Sequence, residues 1–142
     1  MSYNINVKLL NEQSKVPTQA HEADAGYDLY SSESVTIVSG ERRVVKTGIA
    51  FGMEEGLTGL IWPRSGLSVR SGIDVLAGVI DSGYLGEIKV CLLNTSIEDL
   101  KISMGDRIAQ ILFQEVPKVT LTVRNSLGAS QRGGKGFGSS GK

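Results

Sequence analysis

One cysteine and one histidine stand in a chain of 142 residues. Cys91 has no partner for an internal disulfide. With His21 as the sole imidazole, no His/Cys cage for structural zinc can be assembled, so any metal must be held by oxygen ligands. Net charge is missing too: 15 Lys+Arg against 15 Asp+Glu give a formal charge of zero, which supplies no positive field for a phosphate backbone and speaks against nucleic acid as a partner. No apolar run approaches the roughly 18 residues of a membrane span. The N-terminus MSYNINVKLL also lacks the basic segment and apolar stretch of a secretory leader. The expectation is a soluble cytoplasmic protein with no membrane association. Aromatics make up only 6%, yet an apolar content of 40% suffices for a core, and the length is one domain's worth of chain.

Long helical periodicity is also lacking, because Gly or Pro interrupts every dozen-residue window with an apolar stripe at helical spacing. Period 2 replaces it. Ile5, Val7 and Leu9 alternate with polar neighbours, as do Val35 and Ile37, then Ile88, Val90 and Leu92, then Val119, Leu121 and Val123. These are half-buried strands. Glycine is what the chain has in excess, 18 residues or about 13% against a usual roughly 7%. Its placement at positions such as 40, 48, 56, 72, 83 and 105 marks turns between short strands. The fold class read from this is all-β, a sandwich or barrel. One short helix fits at Ser65 to Ser71, where Ser65 can cap, Leu67 and Arg70 sit three apart, and Gly72 can close it in the left-handed conformation. From Gly128 to Lys142 six of 15 residues are glycine and almost no apolar surface remains. That tail is expected to be a flexible arm, 128–142, distinct from a folded domain at 1–127.

Five segments carry candidate chemistry. In the tail, Arg132, Ser139 and Ser140 are donors suited to phosphate, the glycines allow backbone N–H groups to converge on an anion, and Phe137 is an aromatic face for which linker composition has no use. Pro63-Arg64-Ser65-Gly66 lies where a strand meets the short helix, a combination of planar cation and helix start that suits an oxyanion. Gly78 to Ile88 reads as a β-hairpin whose turn holds Asp81 and Tyr84, the first free to take a proton and the second able to form a wall. Asp28 follows Gly26-Tyr27. Gly105-Asp106-Arg107 precedes Gln110, with Asp106 and Arg107 expected to pair within a turn. Each segment taken alone also has an ordinary structural use.

Together and in this order, AGYDLYSS (25–32), PRSGLS (63–68), GVIDSGYLGEIKV (78–90), GDRIAQI (105–111) and RGGKGFGSSG (132–141) resemble the five motifs of the trimeric dUTPase family. The resemblance implies a jelly-roll-like β-barrel subunit that works as a homotrimer and hydrolyses dUTP to dUMP and pyrophosphate. It implies sites shared between subunits: motifs one, two and four from one chain, the third from a neighbour, and the fifth from the remaining subunit as a lid. By position, Asp81 matches the carboxylate that orients and deprotonates the attacking water. Cys91 in a strand and His21 outside every motif leave no other base. Tyr84 matches the aromatic against the deoxyribose. The backbone of Gly78, Val79 and Ile80 matches the strand that pairs with uracil. Arg64, Ser65 and Gly66 match the phosphate-binding motif, and Gln110 the residue that contacts phosphate or ordered water. Arg132, Phe137, Gly138, Ser139 and Ser140 match the lid, with Phe137 on the base. Asp28 matches the acidic residue that reaches Mg²⁺ through water. The expected role is to clear dUTP from the nucleotide pool while supplying dUMP for thymidylate synthesis.

The chain departs from the pattern at Ser82, Gly83 and Leu85, where many members carry an acidic residue before the tyrosine and an arginine after it. The spacing from Asp81 to Tyr84 is kept. Ser140 stands where threonine is common, and Lys135 adds a cation without an assigned role. The related dCTP deaminases share the fold and trimer, but the glycine-rich lid and the Asp-x-x-Tyr segment belong to the hydrolase.

Overall fold

The computed structural model describes residues 2–141. Eleven strands and one helix follow one another: β1 (Asn6–Leu9), β2 (Tyr27–Tyr30), β3 (Val35–Ile37), β4 (Arg42–Lys46), β5 (Ile49–Gly52), β6 (Leu57–Trp62), α1 (Ser65–Ser71), β7 (Ile73–Leu76), β8 (Val79–Asp81), β9 (Lys89–Asn94), β10 (Leu100–Ile102) and β11 (Arg107–Glu115). All pairings are antiparallel. The expected all-β class with one short helix is what forms, but the barrel is not closed. Among the described residues the strands sort into four sheets, ordered β1-β5, β10-β3, β2-β11-β6-β8 and β4-β9-β7.

Period 2 explains the core. Val90, Leu92 and Asn94 of β9 turn inward and are buried, where they meet Leu29, Ile37, Val45, Ile49, Phe51, Ile61, Ile73, Ile88, Ile108 and Ile111. Burying one such side chain contributes about 1.5–3 kcal/mol. The polar member of this layer is satisfied: Asn94 Nδ2 donates to the carbonyls of Ile37 and Glu98 at 3.0 and 2.7 Å.

Four expectations are corrected. Gly72 does close α1 at φ 62°, but the cap at the other end is Arg64, extended at φ −83° and ψ 134°, with no side-chain cap bond; Ser65 is the first helical residue. The arms of Gly78 to Ile88 do not pair with each other. β8 joins β6 while β9 joins β4 and β7, so the segment is a turn between two sheets, closed by the Tyr84 N–H donating to the Asp81 carbonyl at 3.0 Å. Arg107 pairs with Asp28 instead of Asp106, whose Oδ2 accepts from the Ser103 N–H at 2.8 Å. The alternation at 118–123 forms no strand, and Val119, Leu121 and Val123 are 74%, 93% and 95% exposed. An alternating segment becomes a strand only when it pairs with a partner edge, and no described strand pairs with this one.

Candidate functional site

A β-bulge builds the first group of side chains. Between Arg107 and Ala109 the register of β11 against β2 shifts, so Arg107 faces Tyr30, Ala109 faces Leu29 and Gln110 faces Asp28. Residues three apart on a regular strand point to opposite faces. The extra residue undoes this: Ile108 and Ala109 are both buried, and Arg107 and Gln110 come to the same side. There they meet Arg64, Ser65 and Gly66, carried in by the turn from β6 into α1. These residues with Asp24, Gly26 and Asp28 line a cleft of about 310 Å³.

Asp28 organises the cleft. Arg64 Nε donates to its Oδ1 at 3.2 Å, and Arg107 Nη1 lies 3.6 Å from its Oδ2. Two guanidinium groups thus face Asp28, and Asp24, whose Oδ2 accepts from the His21 N–H at 3.0 Å, is the second carboxylate of the lining, so the charges balance while guanidinium N–H donors remain, the chemistry that suits an oligophosphate. Gln110 is fixed by its Nε2 donating to the Pro63 carbonyl at 2.9 Å. Its amide is seated on Gly26, where a Cβ would collide with Oε1 and stand 3.2 Å from Cδ. No group of three His, Cys, Asp or Glu side chains able to enclose a metal occurs among the described residues. With both Asp28 oxygens facing arginines, the residues fit a cation carried by phosphate oxygens and water, with Asp28 reached through water.

The second group lies elsewhere on the chain. Val79, Ile80, Asp81, Tyr84, Glu87 and Lys89 line a separate cleft of about 230 Å³. Gly78 precedes β8 at φ 110°, a conformation that favours glycine; it lines a neighbouring groove with Ile61, Trp62 and Val79, and its carbonyl accepts from the Ile61 N–H at 2.8 Å. β8 is the edge of its sheet. Among the described residues no strand covers its outer side, so backbone donors and acceptors there are open to a planar ligand edge. Asp81 forms no ion pair among the described residues. The Tyr84 hydroxyl donates to the Glu87 carbonyl at 2.8 Å, and Glu87 Oε2 accepts from the Gly48 N–H at 3.0 Å, tying the loop to the start of β5.

Val79, Ile80, Asp81 and Tyr84 thus line one cleft, with Gly78 in the adjoining groove that shares Val79, and Asp28, Arg64, Ser65, Gly66 and Gln110 line another, but the two sets are apart. Arg132, Phe137, Gly138, Ser139 and Ser140 line neither cleft. Phe137 is fully exposed in the left-handed region at φ 47°, and Arg132 Nε donates to the Lys135 carbonyl at 2.6 Å. Sequence reading missed Arg107 and the pair Glu87 and Lys89. The bulge that brings Arg107 into the cleft leaves no mark in the alternation, since Ile-Ala reads equally well as one buried and one small outward residue.

A family model for dUTPase matches residues 12–141. The chain is 45% identical over 149 residues to a deoxyuridine 5'-triphosphate nucleotidohydrolase of Mycobacterium leprae (strain Br4923), spanning 99% of this chain and 97% of that protein. A protein of the same name from Yarrowia lipolytica is 42% identical over 139 residues, spanning 96% and 88%. Among solved structures, a variant of the Staphylococcus bacteriophage 80alpha dUTPase with dUpNHpp has a TM-score of 0.94 at 30% identity, covering 99% of this chain and 100% of that one. A mutant dUTPase of the S. aureus phage phi11, described with a structural Mg(II) ion, has a TM-score of 0.84 at 27% identity, covering 89% and 99%.

Proposed function

Because this chain belongs to the dUTPase family and is a dUTP diphosphatase, hydrolysing dUTP to dUMP, we propose that its chemistry runs at a site assembled from the two clefts of different subunits in a homotrimer. Asp81 orients a water and takes its proton as the oxygen bonds to the α-phosphorus. The bond from that phosphorus to the bridging oxygen breaks, and pyrophosphate leaves. Arg64, Arg107, the Ser65 hydroxyl and the backbone at Gly66 hold the phosphates, and Gln110 contacts a phosphate oxygen or the ordered water. The open edge of β8 at Gly78, Val79 and Ile80 reads the uracil, while Tyr84 packs against the deoxyribose. Asp28, while keeping the two arginines in place, would hold Mg²⁺ through water, and the ion would supply neutralisation of charge developing on the phosphate oxygens.

The observation that carries the shared site is a distance. Asp81 pairs with Thr58, and Thr58 pairs with Gln114, so Asp81 and Gln110 stand four residues apart along the sheet and two strands apart across it. That is about 13 Å one way and about 10 Å the other. Hydrogen bonds need about 3 Å, so side chains of Asp and Gln length on one chain cannot both serve one α-phosphate. Pairing the Asp81 cleft of one subunit with the Arg64 cleft of another removes the difficulty, and the glycine-rich arm 128–142 of the remaining subunit covers the nucleotide. In the cell the reaction clears dUTP from the cytoplasmic pool and supplies dUMP for thymidylate synthesis.

Mixed trimers test the sharing. Chains carrying Asp81→Asn and chains ending after Ser130 are each expected to be nearly inactive alone and to regain activity when unfolded and refolded together. No recovery in trimers shown to contain both chains overturns the shared site.

A further inference from the structure

Nothing about its backbone requires the glycine at position 86. Its φ lies outside the left-handed region, unlike Gly78 at 110°. What a side chain there would meet is one specific object: a methyl group on Gly86 would stand 2.7 Å from the Tyr84 hydroxyl oxygen, 2.8 Å from Cζ and 3.1 Å from Cε2. The ring of Tyr84 lies folded back over Gly86, held at its far end by the hydrogen bond to the Glu87 carbonyl.

We propose that Gly86 is a positioning residue for sugar specificity, the seat that lets the Tyr84 ring lie down and wall the second cleft. This rests on Tyr84 being the wall against the deoxyribose. A wall excludes a 2′-hydroxyl only if it cannot retreat, and two features keep this one forward. The hydroxyl tie to Glu87 fixes the tip, and Glu87 is itself anchored through its carboxylate to Gly48. The absence of a Cβ at 86 lets the ring approach the main chain closely enough to make that tie. Since the ring is the mobile end of a side chain 44% exposed to solvent, a methyl at 86 displaces it outward instead of breaking the turn. The cost falls on specificity, with little on stability.

The neighbouring Gly83 is an internal control, for it has nothing within 4 Å of a would-be Cβ and no left-handed φ. The experiment measures kcat/KM for dUTP and UTP, with thermal unfolding, for Gly86→Ala, Gly83→Ala, Tyr84→Ala and the double variant Tyr84→Ala/Gly86→Ala. Gly86→Ala is expected to lower the dUTP to UTP preference at least about tenfold, within the range of about 10- to 200-fold that a close-fitting pocket commands over a small group. Gly83→Ala is expected to leave it unchanged. In the Tyr84→Ala background, Gly86→Ala is expected to do nothing more, because no ring remains to displace.

If Tyr84→Ala lowers the preference but Gly86→Ala does not, the seat is wrong and the wall stands. If Tyr84→Ala itself leaves the preference unchanged, the wall reading falls and takes the seat with it. Should Gly86→Ala fail to fold, a folded double variant matching Tyr84→Ala supports the seat, whereas an unfolded double variant overturns it.

Discussion

Two aspartates of this chain differ in what surrounds them, and the difference supports the separate roles proposed for them. Asp28 has a guanidinium near each oxygen, which supports the proposal that it holds Arg64 and Arg107 in register. Asp81 has no ion-pair partner among the described residues and stands where a water can reach it beside the open edge of β8. Proton transfer by a positioned base contributes about 100- to 10,000-fold. Asp81→Asn keeps shape and hydrogen-bonding capacity but cannot take the proton. We therefore expect it to lower single-turnover hydrolysis by that factor while the affinity for dUpNHpp changes little. Near-normal turnover in this variant removes Asp81 from the role of base.

At the scale of elements, the decisive feature is the bulge in β11. A regular strand would point Arg107 and Gln110 to opposite faces; the register shift after Arg107 gathers both around Asp28. Arg107 is half exposed, and a surface ion pair of this kind contributes only about 0–1 kcal/mol to folding. Its hydrogen bonds to a bound phosphate would each be worth about 1.5–3 kcal/mol. Binding outweighs stability in that comparison. Arg107→Gln is accordingly expected to raise KM for dUTP about 10- to 100-fold with the melting temperature nearly unchanged, measured by initial rates and thermal unfolding. A large drop in melting temperature without a KM effect would make the residue structural. Period 2 marks three of the eleven strands, β3 at its observed bounds and β1 and β9 within two residues, while the helix at 65–71 is legible from its apolar spacing and Gly72. Their pairing was not legible. Gly78 to Ile88 has the apolar arms and polar turn of a hairpin, yet which edge each arm joins depends on β6, β4 and β7, strands far away in the chain. Adjacency in sequence pairs Asp106 with Arg107, but Arg107 faces Asp28 and Asp106 accepts from the Ser103 N–H.

At the scale of the whole molecule, two segments fit badly within one chain. Val119, Leu121 and Val123 alternate as a strand should but stand exposed, and the glycine-rich arm beyond them lines neither cleft. The composition of the arm was readable at once; its destination was not, because one sequence does not say which copy of the chain a segment touches. Ordering the arm costs about 1–2 kcal/mol per residue, and its few apolar atoms offset little of that. A bound nucleotide can offset more: stacking of Phe137 on the base at about 1–3 kcal/mol, and Arg132 to phosphate at about 1.5–3 kcal/mol per bond. The arm is therefore expected to order only with ligand, to exclude bulk water and to hold the triphosphate for in-line attack. Truncation after Ser130 is expected to leave the fold and assembly intact while removing most turnover, as read by thermal unfolding, sedimentation and pyrophosphate release. In the full chain, hydrogen exchange at residues 132–141 is expected to slow when dUpNHpp is added. Equal exchange with and without the analogue would refute a ligand-ordered lid, and a truncated protein of full activity would take the arm out of the reaction.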